Sequence, residues 1–135
     1  MALEKKLLDF QNALKRLQES HQKTIEYQHD DNFSFFRDST IQRFEFTLEI
    51  AWKSIKTFLL EVEGIECRSP KSCMKEFFAT AHCDEVQIAT LLQMIDDRNL
   101  ATHTYHEALA DDIFSAIEKY ISILTLLLNE LSQTN

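Results

Sequence analysis

The stretch from Ile41 to Val62 reads IQRFEFTLEIAWKSIKTFLLEV, and its apolar spacing decides the fold. Ile41, Phe44, Leu48, Ala51, Ile55, Phe58 and Val62 follow one another in alternating steps of three and four. That is a sustained heptad seam, which only a helix can present to one side. Phe46, Ile50, Trp52, Leu59 and Leu60 widen the stripe, so this helix is expected to touch several neighbours. Gly64 follows as a left-handed stop. The start is open. Phe33-Ser34-Phe35-Phe36 reads as an early turn, with Asp38 or Ser39 capping the regular part.

Helical periods continue on both sides. Leu3, Leu7, Phe10, Leu14, Leu17, His21 and Thr24 or Ile25 define a first helix from about Leu3 to about Gln28, closed by Asp30-Asp31-Asn32. Ser69-Pro70 reads as an N-cap with proline at the first helical position. A short helix over Pro70–Ala81 follows, with Met74, Phe77 and Phe78 facing inward. Asp84 caps a fourth helix that carries Val86, Ile88, Leu91, Leu92 and Ile95. The last helix spans about His106 to Leu131, with Leu109, Ile113, Ala116 or Ile117, Tyr120, Leu124, Leu127 and Leu131 as its buried stripe. The expected fold is all-α: an antiparallel up-and-down four-helix bundle with one extra short helix, forming a single domain over residues 1–135.

Composition narrows the function. Glycine and proline occur once each, so a phosphate-cradling loop and an all-β fold are both excluded. A formal charge of −8 argues against broad affinity for nucleic acid but leaves room for a local basic cleft. No apolar run is long enough to span a membrane, and no secretory segment opens the chain. With three cysteines, a reduced cytoplasmic setting is the simplest expectation. Cys67, Cys73, His82 and Cys83 match no paired-ligand spacing, so neither a metal nor a cofactor is expected. Trp52 is assigned to the core, as are Phe33, Phe35 and Phe36. Arg43, Glu45, Glu49 and Lys53 fit a buried polar network or subunit contact as well as a solvated face.

The richest polar stretch runs from Asp96 to His106. In a continuous helix, Arg98, Thr102 and Tyr105 share one stripe, and Asn99, His103 and His106 the next. Positions 98 and 103 then stand about 140° apart, at ~100° per residue. They can act together only if the helix ends between them or a second subunit completes the site. Arginine holds phosphate bidentately, and histidine moves protons near neutral pH. Asn99 can position either group, and the Tyr105 hydroxyl can accept a transferred group. Arginine, histidine and a polar helper suffice for metal-independent RNA cleavage by the ribose 2′-OH. The plainer alternative pairs Arg98 with Asp96 or Asp97 and leaves His103 to cap or pack. His106 borders the motif without an assigned partner.

Arg98-Asn99-Leu100-Ala101-Thr102-His103-Thr104-Tyr105 resembles the signature of HEPN proteins, and Ile41 to Lys53 resembles the hallmark of the nucleotidyltransferase substrate-binding protein family. The blocks lie in that family's order, with Gly64, Ser69 and Pro70 between them. The resemblance implies a helical homodimer paired with a minimal nucleotidyltransferase on a separate chain. It also implies a non-catalytic partner, or substrate-binding, role in a two-component system. The alternative it implies is a metal-independent ribonuclease toxin acting on RNA. There Arg98 and His103 are the nuclease pair, Asn99 is a helper, and Tyr105 is the residue whose adenylylation silences cleavage. The chain lacks the Gly-Ser loop and paired aspartates of a nucleotidyltransferase, so it does not perform that transfer itself.

Overall fold

The structure is a computed structural model that describes residues 2–103, with His103 by its backbone alone, and residues 106–133. Its elements are α1 (Ala2–Glu26), α2 (Phe33–Phe58) continued by a π-helical turn (Leu59–Glu63), α3 (Pro70–Ala79), α4 (Glu85–His103) and α5 (Glu107–Gln133). Side-chain bonds fix their directions. Thr47 Oγ1 donates to the Ala13 carbonyl at 3.3 Å and Ser54 Oγ to that of Lys6 at 3.5 Å, so α1 and α2 run antiparallel. His21 meets Phe114 at 5.4 Å between ring centroids, Phe44 stacks on Tyr120 at 5.4 Å, and Arg98 reaches Glu49. These contacts set α1, α2, α4 and α5 in up-down-up-down order, with α3 as the extra short helix. The fold is all-α, as the apolar spacing predicts.

The heptad seam is buried from Ile41 through Phe58, where Phe44, Ala51, Ile55 and Phe58 reach 0% exposure. Val62 does not join it and stands 43% exposed, while Leu59 is fully buried. The cause is the π-turn. Its extra residue per turn rotates everything beyond Phe58 out of the α-helical register. Gly64 then stops the chain at φ +69°, and the Ile65 N–H returns to the Leu59 carbonyl at 2.9 Å.

Three expectations need correction. Helix α2 begins at Phe33, so Asp38 and Ser39 lie inside it. The helix starts early because Arg37, in its second turn, is anchored in the interior by carboxylates of α5. Helix α3 ends at Ala79, because Ala81 turns left-handed at φ 65° and the His82 N–H bonds back to the Phe77 carbonyl at 3.1 Å. Phe78 is accordingly 37% exposed, and Phe35 and Phe46 are more exposed still. The third concerns the cysteines. Cys67 and Cys73 form a disulfide, leaving Cys83 as the free thiol. The stop at Gly64 and the cap at Ser69 fold the intervening segment back, so their Cα atoms stand 5.2 Å apart.

Two caps match their sequence signals. Ser69 accepts from the Ser72 N–H at 3.3 Å while Ser72 Oγ accepts from the Ser69 N–H, and Pro70 sits in the first turn. Asp84 and Gln87 exchange the same pair of bonds at 2.8 Å each. Among the described residues no helix is long and apolar enough to cross a membrane.

Candidate functional site

Within the polar stretch, Arg98 and Thr102 in the last turns of α4 face α2. Glu45 and Glu49 stand one turn apart on α2, and Arg98 and Thr102 one turn apart on α4. The two pairs meet across the antiparallel contact. Arg98 Nη2 donates to Glu49 Oε2 at 3.2 Å, and Thr102 Oγ1 donates to Glu45 Oε1 at 3.2 Å. Glu49 is also held by Trp52 Nε1 at 3.0 Å and paired with Lys53 at 3.1 Å. Burial alone would raise the Glu49 carboxyl. The bonds from Trp52 and Lys53, with the charges of Lys53 and Arg98, outweigh burial and hold it below the ordinary carboxylate range. Glu45, Glu49 and Lys53 thus belong to a polar network on an inter-helix seam, while Arg43 faces α1 instead.

Asp96 and Asp97, the partners the plainer alternative gave Arg98, are engaged elsewhere. Asp96 pairs with Lys71 at 2.6 Å, and Asp97 accepts a short hydrogen bond from the Tyr120 hydroxyl. Arg98 keeps a third of its side chain in solvent and reaches Asn99 Oδ1 at 3.4 Å. Asn99 is exposed. The His103 side chain and Tyr105 lie outside the described residues. The backbone of α4 nevertheless stays helical through His103, so the helix does not end between positions 98 and 103. Joint action of that pair therefore requires a second subunit.

His106 has a definite place. It precedes the first turn of α5, and its Nδ1 accepts from the Leu109 N–H at 3.4 Å, so it caps that helix. It also lines a groove of about 290 Å³ with Asp38, Gln42 and Glu45 at the rim and Ile41, Ala101 and Ile113 below. The groove opens where α2, the end of α4 and the start of α5 converge.

Sequence reasoning missed Arg37. Its side chain is 2% exposed, and its Nη1 reaches both Glu107 and Asp111 at 2.9 Å. Its Nε donates to Asp38 Oδ1 at 3.0 Å; Nη2 lies 2.9 Å from the same oxygen but off hydrogen-bond geometry. Burial opposes the charge, but the three carboxylates overcome it and push the guanidinium pKa up. Arg37 ties the first turn of α5 to α2, while Arg98 and Thr102 tie the last turns of α4 to the same helix. The end of α4 and the start of α5 are thereby both tied to α2. No spacing rule could find this, because Asp111 lies 74 residues from its partner.

A second polar hub was also illegible. His82 bonds Glu130 at 2.9 Å and Glu63 at 3.2 Å, packed between Phe58 and Phe77. It joins the π-turn to the end of α5. Cys83 beside it has a thiol pushed up to about 11, first by burial and then by Asp84 and Glu130, so it is no nucleophile at neutral pH. Among the described residues no group of three or more His, Cys, Asp or Glu is placed to hold a metal.

Fold and corner together define a helical bundle that offers a polar, carboxylate-rimmed seam. The chain belongs to the family described as nucleotidyltransferase substrate binding protein like, whose model matches residues 5–133. It is similar to a protein of Thermus thermophilus whose crystal structure is solved. The two are 34% identical with a TM-score of 0.81, over 90% of this chain and 98% of that one. None of the curated proteins compared with the chain matches it.

Proposed function

We propose that this chain is the non-catalytic partner subunit of a two-component nucleotidyltransferase system, forming a homodimer that docks a minimal nucleotidyltransferase in the cytoplasm. Membership of the family across residues 5–133 carries the reading. The corner at α2, α4 and α5 supports it. Its arginine is already neutralised by Glu49, and the start of α5 is held to α2 by Arg37, which suits a presenting surface built on packed helices. In this role the Tyr105 hydroxyl is the proposed acceptor of a nucleotidyl group. In a reducing cytoplasm the Cys67–Cys73 pair would stand open as thiols.

One observation favours a second reading, a metal-independent ribonuclease using Arg98, Asn99 and His103 and silenced by adenylylation of Tyr105. The Arg98 guanidinium is not sealed in the interior, and an RNA phosphate can compete with Glu49 for it. The continuous α4 makes the homodimer a requirement of this reading.

The experiment is co-expression with a minimal nucleotidyltransferase, sought first in the adjacent reading frame. The partner reading expects a stable complex of two copies of this chain with the enzyme, and addition of one AMP mass that is lost in Tyr105→Phe. Independent purification of both proteins as non-interacting species refutes it. RNA cleavage in EDTA by the chain alone, abolished in His103→Ala, establishes the second reading. Equal inertness of wild type and variant removes it for the RNAs tested.

A further inference from the structure

A basic groove runs between α1 and α2, on a different face of α2 from the acidic seam. Arg16, Lys23 and Arg43 line it, with Glu19 as its one carboxylate, Ser39 on its wall and Phe36 at one end, around about 250 Å³. The lining sets three cations against one carboxylate on a chain whose formal charge is −8, with Glu26 beside Lys23 on the adjoining surface. Arg37, Lys53, Lys71 and Arg98 are each neutralised by carboxylates. Arg16, Lys23 and Arg43 make no ion pair among the described residues, so their charge is available to a ligand.

Helix geometry builds the groove. Arg16 and Lys23 are seven residues apart, two turns along one face of α1. The antiparallel partner sets Arg43 opposite one end of that face and Ser39 and Phe36 opposite the other. Small hydroxyl side chains bring the helices together beneath. Thr40 bonds Ser20 at 2.7 Å and Thr24 at 2.9 Å, a buried ladder that fixes the groove floor. Phe36 packs against Tyr27 at 5.3 Å, and the Lys23 ammonium sits 5.8 Å from the Tyr27 centroid. Cations beside a half-exposed aromatic pair are the elements with which proteins hold phosphates and stack a base.

We propose that this groove binds a phosphate-bearing ligand, with Arg16 and Arg43 gripping phosphate oxygens and Phe36, backed by Tyr27, offering its ring to a base at the groove's end. A nucleoside triphosphate and a single-stranded nucleic acid present the same chemistry. The site is independent of Arg98 and of the proposed partner role, so either can fail without the other.

The test uses the full chain and two probes, ATP without metal and a fluorescein-labelled eight-nucleotide oligouridylate, at low salt. Arg16→Ser, Arg43→Gln and Ser39→Asp are compared with wild type, and Lys75→Gln on α3 serves as the surface control. Unchanged far-UV circular dichroism and melting confirm folding. Saturable binding of at least one probe is expected. Each groove variant should weaken it about tenfold or more, with Lys75→Gln within about twofold of wild type. For the oligonucleotide, affinity should fall with log salt at a slope of about −2 and lose about 0.7 of that slope per cation removed. Binding of ATP alone assigns a nucleotide, and binding of the oligonucleotide assigns a strand. Absence of saturable binding to both probes overturns the proposal, as does equal binding by the groove variants. Variants that alter only the oligomeric mass would assign the groove to a second copy of the chain and would equally overturn it.

Discussion

Arg37→Met should cost about 2–3 kcal/mol of folding stability, concentrated where α5 begins. The side chain is 2% exposed, whereas Asp38, Glu107 and Asp111 keep 40%, 64% and 61% of theirs in solvent. Removing one member of a fully buried ion pair costs about 3–5 kcal/mol, because the survivor is stranded without water. Here the survivors return to solvent, so that penalty is discounted. What remains is the loss of charge-assisted hydrogen bonds, each worth about 1.5–3 kcal/mol when well shielded and under about 1 when exposed. Methionine fills most of the vacated volume, so little cavity term is added. For a domain of this length the loss corresponds to a fall in Tm of about 10 °C. Urea and thermal unfolding monitored by circular dichroism give the magnitude. Native-state hydrogen exchange should show the loss concentrated at the start of α5, the element Arg37 holds. A double-mutant cycle with Asp111→Asn should return a coupling above about 0.5 kcal/mol. A variant that melts within about 2 °C of wild type, with unchanged exchange at Glu107 to Asp111, would show that the latch does not secure α5.

Three further outcomes follow from the geometry. Burial alone would lower the His82 imidazole, but Glu130 and Glu63 outweigh it and hold its pKa above the ordinary value. Its stabilising contribution is therefore complete below the unfolded pKa of about 6.5 and fades as pH rises through the higher folded value. The Tm difference between wild type and His82→Gln should shrink from about pH 6 to about pH 8. His21, lowered chiefly by burial against the pull of Glu118, acts with the opposite sign but cancels in that difference. A difference independent of pH removes the hub. Reduction of the Cys67–Cys73 bond, whose partners are six residues apart, should lower stability by about 2 kcal/mol on loop-closure entropy, read as a Tm drop on adding dithiothreitol that Cys67→Ser lacks. Ala81→Gly should stabilise by about 0.5–1 kcal/mol, because alanine holds a left-handed φ of 65° there; a lower Tm for that variant would refute the strain.

The amino-acid sequence alone determined the class of fold. Apolar spacing, Gly64, the Ser69-Pro70 cap and the Asp84 cap act over a few residues, and local rules read them correctly. It also placed Arg98 and Thr102 on one stripe, because that follows from helical angle. Tertiary structure alone decided what each polar group meets. Glu49 takes Arg98 away from its neighbouring aspartates, Arg37 is buried against carboxylates far along the chain, and His82 joins two helix ends. The π-turn that releases Val62 and buries Leu59 likewise left no mark in the apolar spacing. Hydrophobic periodicity reports which face of a helix is dry, whereas an ion pair depends on which distant element that face is packed against. That choice is made by the whole bundle.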